Sequence, residues 1–306
     1  MKSQILGFVL LAAAAVVASA PAQAQNGSLT RSFVSSSGVD TNPCTVTQPC
    51  ASFAHAYTAV GPSGIVAALD PGKYGPLTIY GPVTIDGNGW AAITAPANSN
   101  GITINAQPSD KITLKGLAID GVGTANNGIL FNTGAGLNVF DCTIKNTLDN
   151  GIYVGVLNGV SLLVSNTFIS NVNSETNSSG IYLYNGANGS TSAMTVTLDR
   201  VMINDASVGV SAYTTSAPLL ATITNSEIAT SPTGFVAQGG TYSVSLVIKN
   251  FTWSGGETSL NLQGNTVVYL SQAVAPNLSY ISSGSNYVFC DGTNHVSACN
   301  ETWSAQ

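Results

Sequence analysis

Apolar and polar residues alternate along the middle of the chain in a nine-residue phrase that is written six times. Ile112-Thr-Leu-Lys-Gly-Leu-Ala-Ile-Asp120 returns at Leu137, Leu162, Val196, Ala221 and Leu246, so four of the five steps are 25 residues and one, from 162 to 196, is 34. Apolar side chains hold the first, third, sixth and eighth places of most copies. The fifth place carries Gly116, Asp141, Asn166, Arg200, Asn225 and Asn250. Alternation with a period of two marks short strands with one buried face, and the fifth place predicts the bend between two of them. A further strand is predicted after each phrase, opened by a small residue, as in Gly128-Ile-Leu-Phe, Gly151-Ile-Tyr-Val, Gly180-Ile-Tyr-Leu and Gly209-Val-Ser-Ala. Strands this short cannot hold a sheet alone. A fixed period of this length therefore predicts a solenoid, in which the copies stack as rungs.

In such a stack every strand pairs in parallel with its equivalents above and below, about 4.8 Å away, and equivalent residues form columns. The eighth-place column reads Ile119, Ile144, Ile169, Ile203, Ile228 and Trp253, which predicts an interior stack. The tenth reads Gly121, Asn146, Asn171, Asp205, Thr230 and Gly255, which predicts a turn where side-chain amides bond along the stack. Long helices are excluded, because Gly, Asn, Ser and Thr are dense and no stripe of period 3.6 runs through the repeats.

The Val/Ile-x-Ile-x-Asn pattern followed by Gly-Ile-x-Val resembles the repeat of the pectin-lyase-like superfamily, over roughly residues 64 to 290. The resemblance implies an all-β fold: a single-stranded right-handed parallel β-helix, here with a short N-terminal capping helix. It is specific for fold and says little about activity, since that superfamily holds lyases, hydrolases, adhesins and proteins with no known reaction.

The flanks complete the expected organisation. Residues 1–24 read as a secretory signal peptide, with Lys2, an apolar run from Ile5 to Ala18 and Ala22-Gln23-Ala24 as a small-x-small cleavage signal. The run is too short and too rich in Ala to span a bilayer, and no other run could, so the expectation is a soluble, exported chain, periplasmic or extracellular. Residues 25–63 read as an opening strand, a small Cys44–Cys50 disulfide loop suited to an oxidising compartment, and a capping helix over 51–60. Phe53, Ala54, Tyr57 and Val60 fall at helical spacing there, with His55 as a polar residue on the cap. Residues 64–289 hold the β-helix and 290–306 a C-terminal cap or tail, where Cys290 and Cys299 predict a second disulfide. The fifth cysteine, Cys142, falls in the sixth-place column and is expected to be a buried thiol, not a nucleophile.

Charge narrows the partners. Only 7% of the 306 residues are charged against 44% hydrophobic, as suits an exterior of Ser, Thr and Asn. Without Lys2 there are 7 basic and 14 acidic residues, a net of −7. With no basic run among them, nucleic acid is not an expected partner. Polysaccharide or cell-surface glycan is.

The search for chemistry is less productive. Enzymes of the resembling superfamily use acidic residues with calcium and a basic residue, or clustered aspartates on adjacent turns. Here the outward fourth place reads Lys115, Phe140, Ser165, Asp199, Thr224 and Lys249, and the ninth reads Asp120, Lys145, Ser170, Asn204, Ala229 and Ser254. Each column holds one acid. Asp141, Asp149 and Asp205 fall in turns, and Arg200 is expected to be a structural residue at a bend. The paired-Asp and Gly-His-Gly signatures of the polygalacturonase branch and the Asp-His signature of the pectate-lyase branch are not found. No catalytic residue, metal site or cofactor is assigned.

One surface feature stands out. With Ile152 and Ile181 pointing inward, Tyr153 and Tyr182 point outward from adjacent rungs, with Tyr184 two residues on. Tyrosine rings suit stacking on sugars, and equally a cross-strand ladder that supports the sheet. The sequence therefore predicts an exported, non-catalytic β-helix protein of surface interaction or glycan binding, with Tyr153, Tyr182 and Tyr184 as the ligand-binding candidates. The alternative is a lyase or glycoside hydrolase of acidic polysaccharide. Oligomeric state is not read from the sequence.

Overall fold

The computed structural model describes residues 28–156, 159–172, 178–186, 192–256, 258–274, 280–291 and 301–302. The signal peptide read at residues 1–24 and Cys299 lie outside the described residues. The rest is a parallel β-solenoid in which all strands join one continuous hydrogen-bonded sheet, and each rung contributes three short strands.

The predicted register is the observed one. The second strands align Ile93, Ile119, Ile144, Ile169, Ile203, Ile228 and Trp253, each buried. The third strands align Leu77, Ile102, Ile129, Ile152, Ile181, Val210, Phe235 and Leu260. Alternation puts these aliphatic columns in one core, where burial of each large side chain stabilises by about 1.5–3 kcal/mol.

The fifth place is the bend, and its residues share a left-handed backbone: φ is 61° at Gly116, 54° at Asp141, 49° at Asn166, 53° at Arg200, 52° at Asn225 and 45° at Asn250. Asn and Asp tolerate this conformation best, which explains their hold on the column. The tenth place bends likewise at Asn146, Asn171, Asp205 and Thr230. In the first copy the bend slips to Val122 and Gly123, and the register shifts between Asp120 and Ala125. Past the fifth-place bend the backbone ladder is broken, and buried hydroxyls repair it. Val201 N donates to Ser226 Oγ at 3.0 Å, and Ser226 Oγ donates to Thr224 O at 2.7 Å.

The glycine that opens most of the third strands has a packing cause. A Cβ on Gly128, Gly151 or Gly180 would lie 2.3, 2.5 or 2.5 Å from the Cγ2 of Ile144, Ile169 or Ile203. The interior isoleucine of the second strand thus occupies the corner into which a side chain would project.

The 34-residue step keeps register, since Ile169 pairs with Ile203. Its extra residues divide around one third strand. The step from Ile144 to Ile152 is 8 residues, whereas that from Ile169 to Ile181 is 12. Ile152 to Ile181 and Ile181 to Val210 are then both 29 residues, so the inserted residues flank Ser179–Asn185. Residues 173–177 and 187–191 lie outside the described residues.

Parallel pairing begins before residue 64, because Leu29–Val34 already pairs with Val60–Ala68. The cap helix spans Phe53–Ala59, with Ser52 as N-cap accepting from His55 N and with Phe53, Ala56 and Tyr57 buried. Asp40 fixes its start through Ala51 N, Ser52 N and Ser52 Oγ. The Cys44–Cys50 disulfide closes the loop beside it, and Cys290, buried, ends the strand Tyr280–Cys290. Among the described residues, no helix is long and apolar enough to cross a membrane.

Candidate ligand-binding face

The third strands present two outward columns. One runs through Thr103, Leu130, Tyr153, Tyr182, Ser211 and Val236, the other through Gly155, Tyr184, Tyr213, Gln238 and Gln263. Tyr153 and Tyr182 stack with ring centroids 5.1 Å apart and planes 4° from parallel. At that separation parallel rings overlap with an offset, each covering part of its neighbour's face and leaving the rest half-exposed.

The stack continues to a residue that the sequence reading does not assign. Tyr213 stacks on Tyr182 at 5.2 Å and 28°, although its register partner is Tyr184 and that of Tyr182 is Ser211. Small Ser211 leaves the space into which the Tyr213 ring leans. Counting strand places assigns Tyr213 to the other column, so only side-chain direction could have found it. Tyr184 stands in that column beside Gly155, and a Cβ on Gly155 would lie 2.5 Å from the Tyr153 ring. Glycine there lets Tyr153 lie low along the strand. Burial pushes the Tyr182 hydroxyl up to about 12, aided by the neighbouring tyrosines. It also raises Tyr153 and Tyr213. All three stay neutral hydrogen-bonding groups at any physiological pH.

A trough of about 550 Å³ follows the tenth-place bend that feeds these strands, lined by Asp120, Val122, Asn146, Thr147, Asn171 and Asp205 among others. Its polar groups are mostly engaged with one another. Asn171 donates to Asn146 Oδ1 at 3.1 Å, Asn146 donates to Asp120 Oδ1 at 2.8 Å, and Lys145 lies 3.5 Å from Asp120 Oδ2. Burial alone would raise the Asp120 carboxyl, but these contacts and the Val122 amide outweigh it and hold the group below its ordinary value. The buried Thr147 Oγ1 has no hydrogen-bond partner among the described residues. A smaller hollow of about 340 Å³ lies over Met202, Glu227 and Thr252 beside Arg200.

The other residues weighed from sequence take structural places. Hydrogen bonds from Asn225 and Thr224 and the charge of Arg200 hold Asp199 low. Arg200 pairs with Asp199 at 2.7 Å and donates to Ser165 Oγ at 3.1 Å. Asp141 accepts from Asn166 at 2.7 Å. Burial pushes the Cys142 thiol up to about 11, away from the thiolate a nucleophile needs. Exposed His55 sits near the Cys44 and Cys50 sulfurs, but these are joined to each other.

No family model and no curated protein matches the chain. Among solved structures the chain is similar to the pectate lyase Pel9A, with a TM-score of 0.57 and 13% identity over 90% of this chain and 77% of that one. Weaker likenesses are to Geobacillus virus E2 ORF18, with a TM-score of 0.40 and 14% identity over 74% and 54% of the two chains, and to a GH136 lacto-N-biosidase from Eubacterium ramulus, with a TM-score of 0.31 and 10% identity over 84% and 67%. The likeness to the pectate lyase establishes the pectin-lyase-like β-helix fold.

Proposed function

We propose that this β-helix, whose fold is that of a pectate lyase, is an exported protein that binds a polysaccharide on the outward face of its third strands. The observation that carries the reading is the offset stack of Tyr153, Tyr182 and Tyr213 across three rungs. Half-exposed rings with neutral hydroxyls combine an apolar surface with hydrogen-bonding groups, the two things a sugar ring needs. The Cys44–Cys50 bond fits an oxidising compartment, and the kinship in fold with a pectate lyase fits a carbohydrate partner. The test is retention in affinity electrophoresis against a polysaccharide panel. Tyr153→Ala with Tyr182→Ala should reduce retention about tenfold, or about 1.4 kcal/mol, while the thermal unfolding of the variant stays cooperative. Unchanged retention would remove the site.

The second reading, a lyase or glycoside hydrolase, is favoured by the trough between Asp120 and Asp205, where two carboxylates line one hollow. Asp120 is tied into the bend by Asn146, the Val122 amide and Lys145, so binding is the preferred function. Release of reducing or unsaturated ends from any polymer in the panel would overturn that preference.

A further inference from the structure

The third-strand face differs from the rest of the coil in carrying no charge. Segments 77–79, 100–105, 127–133, 150–156, 179–185, 208–214, 233–239 and 258–264 contain no Asp, Glu, Lys or Arg. The described charges between residues 111 and 249 sit on the first and second strands or in the turns, as Lys115, Asp120, Asp199, Arg200, Glu227 and Lys249 do. Of the cations, Lys145 and Arg200 are already paired with Asp120 and Asp199.

Resting on the glycan-binding reading above, we infer that the ligand is a neutral polysaccharide and that the face discriminates against polyuronates. A uronate laid on Tyr153, Tyr182 and Tyr213 loses water from its carboxylate and meets no cation, and burying an unpaired charge is costly. Recognition of carboxylates uses the fork of Arg or the ammonium of Lys, and this face has neither. Sugar hydroxyls, by contrast, are matched by neutral partners: the phenols of the stack and the amides of Gln238, Asn261 and Gln263. The chain's net charge of −6, or −7 once Lys2 is removed, adds long-range repulsion of a polyanion.

Affinity electrophoresis with three probes tests this: polygalacturonate, the same polymer with its carboxyls reduced to alcohols, and a panel of uncharged glucans, galactans and mannans. Retention of at least one uncharged polymer is expected, about tenfold stronger than that of polygalacturonate, insensitive to salt and weakened in Tyr182→Ala. Gln238→Lys, exposed beside Tyr213, should raise retention of polygalacturonate without loss of fold. Tighter binding of polygalacturonate, relieved by salt, would overturn the neutral-ligand inference and leave the glycan reading standing. Retention of an uncharged polymer unaffected by Tyr182→Ala would overturn the placement on this face. No retention of any polymer would overturn the glycan reading and this inference with it.

Discussion

At the fifth-place bend Asn225 accepts a hydrogen bond from Asn250 and donates one to Asp199, both at 2.7 Å. On the third strands, Tyr182 meets its neighbours above and below through ring faces instead. Both are ladders, but they spend their polar groups differently. In the bend, donor and acceptor are turned along the stack to hold a backbone at positive φ, so little remains for a ligand. On the third-strand face, amides at the strand starts are also bonded along the stack, Asn150 to Asn127 and Asn127 to Asn100, whereas the phenols of Tyr153 and Tyr182 and the exposed amide of Gln238 are left at the surface. Polar residues that look alike in composition thus divide into those that make the coil and those a ligand can use.

The widest test of that division is to strike the interior beneath both. Ile169→Ala removes a fully buried side chain from the middle of the second-strand column and should cost about 2–5 kcal/mol in denaturant unfolding. A change within about 0.5 kcal/mol, the range of a surface residue, would contradict the register on which both ladders depend. Gly151→Ala should come next, at about 1–3 kcal/mol, since its Cβ would meet Ile169 Cγ2 at 2.5 Å and Gly180 O at 2.6 Å. The two changes share one corner, so their combination should fall short of the sum of the parts. Strict additivity would mean that the isoleucine is not what excludes a side chain.

These interior relations were the most legible part of the chain. Ile119 to Trp253 could be aligned by counting, because one apolar residue per rung at a fixed place is what a buried column demands. The bends were legible for the same reason, as Asn and Asp recur where φ is positive. The face was harder. Tyr153 and Tyr182 were found by alternation, but Tyr213 joins them by leaning across a place that Ser211 leaves open, and a place count carries no side-chain direction. The buried hydroxyls of Thr167 and Ser226 were likewise unreadable, since their role is to take amides that the bend unpairs.

Smaller effects should separate the bend from the face. Asn225→Ala breaks both of its ladder bonds and should cost about 1 kcal/mol, whereas Gln238→Ala on the third-strand face should stay within about 0.5 kcal/mol. Equal losses at the two sites would erase the proposed difference between them.

The last effect concerns the N-terminal end, where one carboxylate does what the ladders do elsewhere. Asp70 accepts from the Ser35 hydroxyl, from Ser36 N at 2.7 Å and from the Tyr74 hydroxyl. These bonds hold it at about 2 against an ordinary 3.8. A carboxyl with a lowered folded value contributes stability that is complete above its unfolded value and lost as pH falls through the folded one. The stability difference between wild type and Asp70→Asn should therefore be constant at neutral pH, begin to shrink below about 4 and be nearly gone by about 2. Paired acid-unfolding curves would show it. A difference that persists unchanged through that window would mean the three donors do not favour the ionised form, and that the cap is held by Phe53, Ala56 and Tyr57 against the core alone.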